Sequence, residues 1–120
     1  MKRGGRQADG ITSLTGNTFQ SMVLEGDGPI AVEFMSYSCA HCGAMEPVLQ
    51  QAAEMLKARE RIFRVNIAIE QDLAQRFEIE GTPTIILFLD GREVGRMDGP
   101  SPDLSSILAK LTKPFEGMKT

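Results

Sequence analysis

The sequence predicts a single α/β domain, a central mixed β-sheet flanked by helices in the order βαβαβαββα. Three observations carry this reading. Ile30–Met35 and Thr84–Leu89 are nearly continuous apolar runs, which suit central strands covered on both faces. Strand-like segments alternate with helical ones through most of the chain. Near the C-terminus Asp90-Gly91 marks a tight hairpin that adds an antiparallel strand.

The elements follow in order. Ile11–Leu14 reads as a short first strand. Thr15 then caps a helix whose Phe19, Met22 and Val23 are spaced for one buried face. Gly26-Asp27-Gly28-Pro29 ends it, and the first apolar run follows, with Glu33 as its one charged residue. After Cys39 the apolar spacing becomes three and four: Met45, Val48, Leu49, Ala52, Ala53, Met55 and Leu56, up to Lys57-Ala58-Arg59. Pro47 lies inside this helix, removes a backbone donor, and is expected to kink it. Ile62–Ile67 reads as a strand, Gln71–Phe77 as a short helix, and Arg92–Met97 as the outer arm of the hairpin. Ser101-Pro102-Asp103 caps a last amphipathic helix through Leu104, Ile107, Leu108 and Leu111. Met22, Met35, Met45, Met55 and Met97 are expected as core fillers rather than metal ligands.

Composition bounds the function. With 120 residues, 42% of them hydrophobic and 24% charged, the chain has the size and make-up of one globular domain. Its net charge of −3 argues against nucleic acid or an anionic membrane surface as a partner, since both need a basic face. Lys2, Arg3 and Arg6 form the one basic cluster. They fall in a Gly-rich stretch over residues 1–10 that is expected to be a flexible tail before a domain over residues 11–120. No run reaches the ~20 apolar residues of a membrane span. Met1–Gly10 shows no signal peptide, which fits a cytoplasmic protein and equally a periplasmic domain whose leader has been removed.

The two cysteines, Cys39 and Cys42, are too few for a disulfide scaffold or a closed zinc site. Their placement where a buried strand meets a helix is the informative feature. The first helical turn has unpaired N–H groups and a partial positive charge. A thiolate there is stabilised, with its pKa falling from ~8.5 to roughly 3.5–7.5. Cys39 is then the attacking thiolate, and Cys42, one turn inside, the thiol that resolves the mixed disulfide. His41 is the one histidine. It is read as a cation or donor that stabilises the Cys39 thiolate, in preference to a merely solvated residue. Such stabilisation favours the reduced form and makes the disulfide a stronger oxidant, by about 30 mV per tenfold in equilibrium constant. Glu33 poses a separate problem, because a carboxylate in a buried strand costs several kcal/mol unless paired or neutralised. Either it splays out to water or it accepts the proton that Cys42 must lose.

From Ile11 to Leu111 the sequence resembles thioredoxin. The resemblance rests on Phe34, Cys39, Cys42, Pro47, Gly81-Thr82-Pro83-Thr84, Asp90-Gly91 and Gly99. Ser38 and Ala40-His41 depart from the usual Trp-Cys-Gly-Pro-Cys, and the chain has no Trp. A His before the second Cys is similar to protein disulfide isomerases and the periplasmic Dsb oxidants. The resemblance implies the thioredoxin fold and a redox disulfide between Cys39 and Cys42. It also implies a cis peptide at Thr82-Pro83 facing that disulfide. Pro83 then leaves no N–H to compete near the sulfurs. The Thr82 backbone pairs with an extended substrate, and its hydroxyl donates to the Cys39 sulfur. Ser38, Ala40, Asp98, Gly99 and Pro100 border the substrate groove on the family's geometry, while Tyr37 packs beside the site or lies on the surface. Glu33 matches a family aspartate, and Arg64 a lysine that neighbours it. Burial raises the pKa of Glu33 and a guanidinium lowers it, and the sequence leaves the balance open.

The expected function is thiol–disulfide exchange with protein or peptide substrates, of the protein-disulfide reductase type, by a monomer needing no organic cofactor or metal. Electrons come from a partner, either a reductase or a membrane electron carrier. A cell-envelope oxidase or isomerase is the nearest alternative. A redox-inactive peptide-binding module and a metal or iron–sulfur site shared across a dimer are further ones.

Overall fold

The computed structural model describes residues 11–58 and 61–112. The expected tail over residues 1–10, and Arg59, Glu60 and residues 113–120 of the expected domain, lie outside these. The elements are β1 (Thr12–Ser13), α1 (Gly16–Phe19, continued by a π turn over Gln20–Leu24), β2 (Pro29–Met35), α2 (Ala40–Met55), β3 (Ile62–Asn66), α3 (Gln71–Arg76), β4 (Thr84–Leu89), β5 (Arg92–Asp98) and α4 (Leu104–Thr112). The order is the predicted one, and the five-stranded mixed sheet runs β1-β3-β2-β4-β5. β3 pairs parallel with β1 and β2, whereas β4 pairs antiparallel with β2 and β5. β2 is thus central, and its run is apolar because both faces are covered.

Alternation along β2 divides the core. Ala31 points into a cluster with Met45, Leu49, Ala52, Ile85, Leu87 and Ile107, beneath α2 and α4. Ile30, Val32 and Phe34 point the other way, with Phe19, Leu73 and Phe88. On that second side Phe19, Phe34, Phe77 and Phe88 form an aromatic cluster, with Phe19–Phe88 and Phe77–Phe88 edge to face at 5.9 and 5.7 Å between centroids.

Local chemistry ends the elements. The Thr15 side chain accepts from the Thr18 N–H, and the Thr18 hydroxyl accepts from the Thr15 N–H. α2 continues through Pro47 and stops in a Schellman arrangement. Ala58 N–H reaches Ala53 O at 2.9 Å, Lys57 N–H reaches Glu54 O at 3.1 Å, and Lys57 takes φ 53°. Asp103 Oδ2 accepts from Ser106 N–H at 3.0 Å and caps α4. In the β4–β5 hairpin Asp90 and Gly91 have φ 52° and 84°, the positive values a two-residue turn of this kind needs. A Cβ on Gly91 would stand 2.2 Å from Leu24 O, so the turn also requires glycine for space.

Five expectations are corrected. The first strand is two residues, Thr12–Ser13, rather than Ile11–Leu14, because Ile11 and Leu14 turn into the core on either side of it. β3 ends at Asn66 rather than Ile67, and α2 ends at Met55, where the chain turns left-handed at Lys57. Met22 is 46% exposed, since the π turn keeps Phe19 and Val23 inward and turns Met22 out. Met55 is 57% exposed, because it lies at the edge of the stripe centred on Leu49, Ala52 and Ala53 in the last turn. Met35, Met45 and Met97 are core residues as expected.

Truncating Phe19→Ala removes a ring that meets three others. It is expected to cost about 3–5 kcal/mol in urea unfolding, while Phe19→Leu costs much less. Equal small losses in both variants would show that the aromatic cluster is loosely packed.

Candidate active site

Register brings three chain segments to one edge of the sheet. Thr84 pairs with Phe34 and with Asp98, so the start of β4 lies between the ends of β2 and β5. Cys39 follows β2 at that edge, Thr82 and Pro83 precede β4, and Gly99 follows β5. Ligand sites of open α/β sheets occur in this position, beyond the carboxyl ends of the strands. The loops are tied together. Gly99 N–H donates to Pro83 O at 2.9 Å, and the Thr84 hydroxyl donates to Gly81 O at 2.7 Å. The Thr82–Pro83 peptide is cis, and Pro83 is buried.

Cys39 is the N-cap of α2, with extended backbone at φ −93° and ψ 112°. Its sulfur accepts from Cys42 N–H at 3.1 Å, in the role a Ser or Asp oxygen plays at other helix starts. The Cys39 thiol also points at Thr82 O, 3.5 Å away. Burial opposes ionisation of Cys39. It is outweighed by hydrogen bonds from the Cys42 thiol, the Thr82 side chain and the backbone N–H groups of Cys42 and His41, so the Cys39 pKa falls below its ordinary value. Cys42 is buried, and burial together with its hydrogen bond to Cys39 pushes its pKa up to about 11. Both cysteines are free thiols here. Proton affinity is thus lowered at the outer sulfur and raised at the inner one.

The other expected site residues fall at varying distances from this centre. Thr82 stands against Cys39, and Pro83 follows it through the cis peptide. Thr82, Asp98 and Gly99 share a groove of about 530 Å³ with Gly81, Glu78 and Glu80. Ser38 and Ala40 flank Cys39 and are exposed, and Ser38 Oγ lies 3.0 Å from Ser36 Oγ. The imidazole of His41 goes to the Pro100 carbonyl, with Nε2 at 2.9 Å. A carbonyl only accepts, so Nε2 carries the proton there. His41 thus acts on the Cys39 sulfur through its backbone N–H, while its ring fastens the loop after β5 to the start of α2. Tyr37 is exposed and lines a second opening.

That second opening is a cleft of about 270 Å³ behind the cysteines, lined by Met35, Ser36, Tyr37, Cys39, Cys42, Gly43, Glu46, Gln50 and Arg64. Glu33 and Arg64 are register partners on β2 and β3 and both are buried. Arg64 Nε stands 3.8 Å from Glu33 Oε1, and neither Glu33 oxygen accepts a hydrogen bond. The guanidinium instead makes its short contact with Glu46 through Nη2. Glu33 therefore does not splay to water. Burial dominates, Arg64 offsets it only in part, and Glu46 adds to it, so the Glu33 pKa rises from 4.5 to about 7. Glu46 is the site residue that the sequence reading passed over. Its signal was the Cys42–Glu46 spacing, which puts both on one helix face. Among the described residues no three His, Cys, Asp or Glu side chains converge on a metal site, and no helix is long and apolar enough to cross a membrane.

The raised Glu33 pKa has a stability consequence. Between pH 4.5 and about 7 the folded protein holds a proton that the unfolded chain releases. The stabilisation is complete below 4.5 and is lost as pH rises through 7. Replacing Glu33→Gln removes this dependence. Relative to wild type, the reduced variant is expected to gain roughly 3 kcal/mol on going from pH 4 to pH 8. A difference that stays constant across that range in urea titrations would contradict the raised affinity.

Comparison with known proteins agrees with this geometry. The Thioredoxin family profile matches residues 10–113. The chain is 30% identical over 92 residues to "Thioredoxin C-2" of Corynebacterium nephridii, covering 77% of this chain and 85% of that protein. It is 34% identical over 108 residues to "Protein disulfide-isomerase 2-3" of Arabidopsis thaliana, covering 90% of this chain but 24% of that protein. It is 30% identical to "Probable protein disulfide-isomerase A6" of Medicago sativa over 86% of this chain and 29% of that protein. The chain thus spans less than a third of these isomerases. Among solved structures, oxidised mitochondrial thioredoxin 3 of Saccharomyces cerevisiae superimposes with a TM-score of 0.74 at 20% identity, covering 86% of this chain and 94% of the other. A mutant thioredoxin of Halobacterium salinarum gives 0.77 at 24% identity, covering 90% and 93%. These two likenesses speak for the fold. With the profile matched across nearly the whole described domain and the cysteine pair set at the start of α2, the chain belongs to the thioredoxin family of thiol–disulfide oxidoreductases.

Proposed function

We propose that this protein is a thioredoxin-like protein-disulfide reductase. The observation that supports this most is the Cys39 sulfur standing as the N-cap of α2, accepting from Cys42 N–H at 3.1 Å beside Thr82 of the cis peptide, with the Cys42 thiol buried one turn inside. The Cys39 thiolate attacks one sulfur of a substrate disulfide, forms a mixed disulfide and expels a substrate thiolate, which takes up a proton. Cys42 then loses its proton and attacks the Cys39 sulfur. The Cys39–Cys42 disulfide forms, and the second substrate thiolate leaves and is protonated. The substrate gains two electrons and two protons, and the enzyme dithiol supplies both. A reductase or a membrane electron carrier returns the dithiol form.

Substrate lies along the groove beside Thr82, where the backbone pairs with an extended peptide and Asp98 and Gly99 form the far wall. Ser38 and Ala40 border the entry. Glu33 accepts the proton of Cys42 during resolution, and Arg64 sets its charge. A cytoplasmic monomer is part of this reading, because a reducing compartment keeps the pair as a dithiol. The alternative, an envelope oxidase or isomerase, draws support from His41 in the motif and from the isomerase relatives. A reduction potential well above thioredoxin's roughly −270 mV would favour it.

Three measurements test the reading. In an insulin-reduction assay Cys39→Ser is expected to be inactive, and Cys42→Ser to accumulate a mixed disulfide; turnover surviving Cys39→Ser would end the proposal. Cys39 is expected to alkylate with a midpoint below the ~8.5 of a free cysteine and well before Cys42. Glu33→Gln is expected to slow single-turnover release of mixed disulfide by 10²–10⁴-fold, the usual weight of general base catalysis, without changing Cys39 alkylation. Equal release rates would remove Glu33 from the mechanism.

A further inference from the structure

Glu46 follows Cys42 by one turn of α2, and both line the cleft of about 270 Å³ together with Gln50 and Arg64. Glu46 Oε2 accepts from Arg64 Nη2 and also from Gln50 Nε2, the latter at 2.6 Å. The same guanidinium approaches Glu33 Oε1 with Nε at 3.8 Å, beyond hydrogen-bond range. One arginine therefore stands between two carboxylates. Side-chain exposure rises outward along the row, from 1% at Glu33 through 4% at Arg64 to 29% at Glu46. The outer, wetter carboxylate holds the hydrogen bond, and the inner one has only a distant charge.

This arrangement matters because a general base needs proton affinity. A Glu33 carboxylate bonded directly to a guanidinium would be a poor acceptor for a thiol proton. We propose that Glu46 is a positioning residue for the resolving half-reaction: it draws Arg64 toward the mouth of the cleft and so leaves the buried Glu33 basic enough to take the proton from Cys42. The proposal rests on the exchange function and the Glu33 role given above.

The charged and titratable groups around Glu33 are few. Among the described residues β3 supplies Arg64 and α2 supplies Glu46, and Cys42 lines one cleft with both of them. β4 places apolar Ile85 opposite Glu33, and the α4 residues packed into that layer, Ile107 and Leu111, are apolar. Removing the Glu46 charge lowers the proton affinity of Glu33 by itself, and freeing Arg64 to bond Glu33 lowers it further, so both effects have one sign.

The test is a pH titration of the Glu33 carboxyl by ¹³C NMR in the reduced full chain, paired with the pH profile of single-turnover mixed-disulfide release. In Glu46→Gln the Glu33 midpoint is expected to fall by roughly one to three pH units, and the acid limb of the release profile to fall with it. Release at pH 8 is expected to slow several-fold, while Cys39 alkylation is unchanged. Glu46→Asp, which keeps the charge, is expected to recover most of the shift. A loss of stability alone would move neither midpoint nor limb. If Glu46→Gln does not fold, Glu46→Ala carries the test, because it removes the same charge and the same acceptor for Arg64 and should move the midpoint in the same direction. A Glu33 midpoint and release limb that stay at wild-type values in the folded variant, while wild type exchanges disulfides normally, overturn this inference alone. Absence of exchange in wild type overturns the functional reading and this role with it.

Discussion

At the first turn of α2 the backbone offers N–H groups that no helical carbonyl can satisfy, and the sulfur of Cys39 takes one of them. The site depends on this. As a cap, the sulfur is held at the helix axis, where the partial positive charge favours the thiolate. Cys42 is the residue whose N–H makes the cap, so its own side chain is carried one turn inward and buried. A single hydrogen bond thereby sets the two thiols apart, a half-buried one of lowered proton affinity at the helix start and a buried one of raised affinity behind it.

The sheet keeps that helix start in register with its surroundings. β2 is pinned between β3 and β4, so its end cannot slide without moving apolar side chains from one core layer to the other. The antiparallel neighbour β4 returns Thr82 and Pro83 to the sulfur, and β5 returns Gly99 beside them. His41 closes this frame from the other side through the Pro100 carbonyl. Its imidazole thus works as a brace between α2 and the loop after β5, which ties the conformation of the groove wall to the redox motif.

Behind the thiols, the frame buries a charge that hydrophobic packing alone would not retain. A carboxylate in the middle of a central strand disfavours folding whenever it is ionised. Here Glu33 faces a guanidinium whose better bond goes elsewhere, and its proton affinity is shifted toward neutrality instead of being suppressed. Stability is given up at this position, a pattern common at functional sites.

By itself the sequence determined the element order, the central position of β2 and β4, the hairpin at Asp90-Gly91 and the strand-to-helix placement of Cys39 and Cys42. Each is written in local chemistry: apolar runs, three-and-four spacing, turn residues and caps. It also marked Glu33 as costly, because a charge inside an apolar strand stands out in any reading. Tertiary structure alone decided the rest. Met22 and Met55 turned outward because a π turn and a helix end rotated them off stripes that idealised periodicity would bury. The balance at Glu33 depended on where one guanidinium points, and the partner that turns it, Glu46, lies eighteen residues away on another element. His41 found its acceptor fifty-nine residues on. Periodicity reports which way a residue faces its own element, whereas these contacts depend on how elements are laid across one another, and that information is not local.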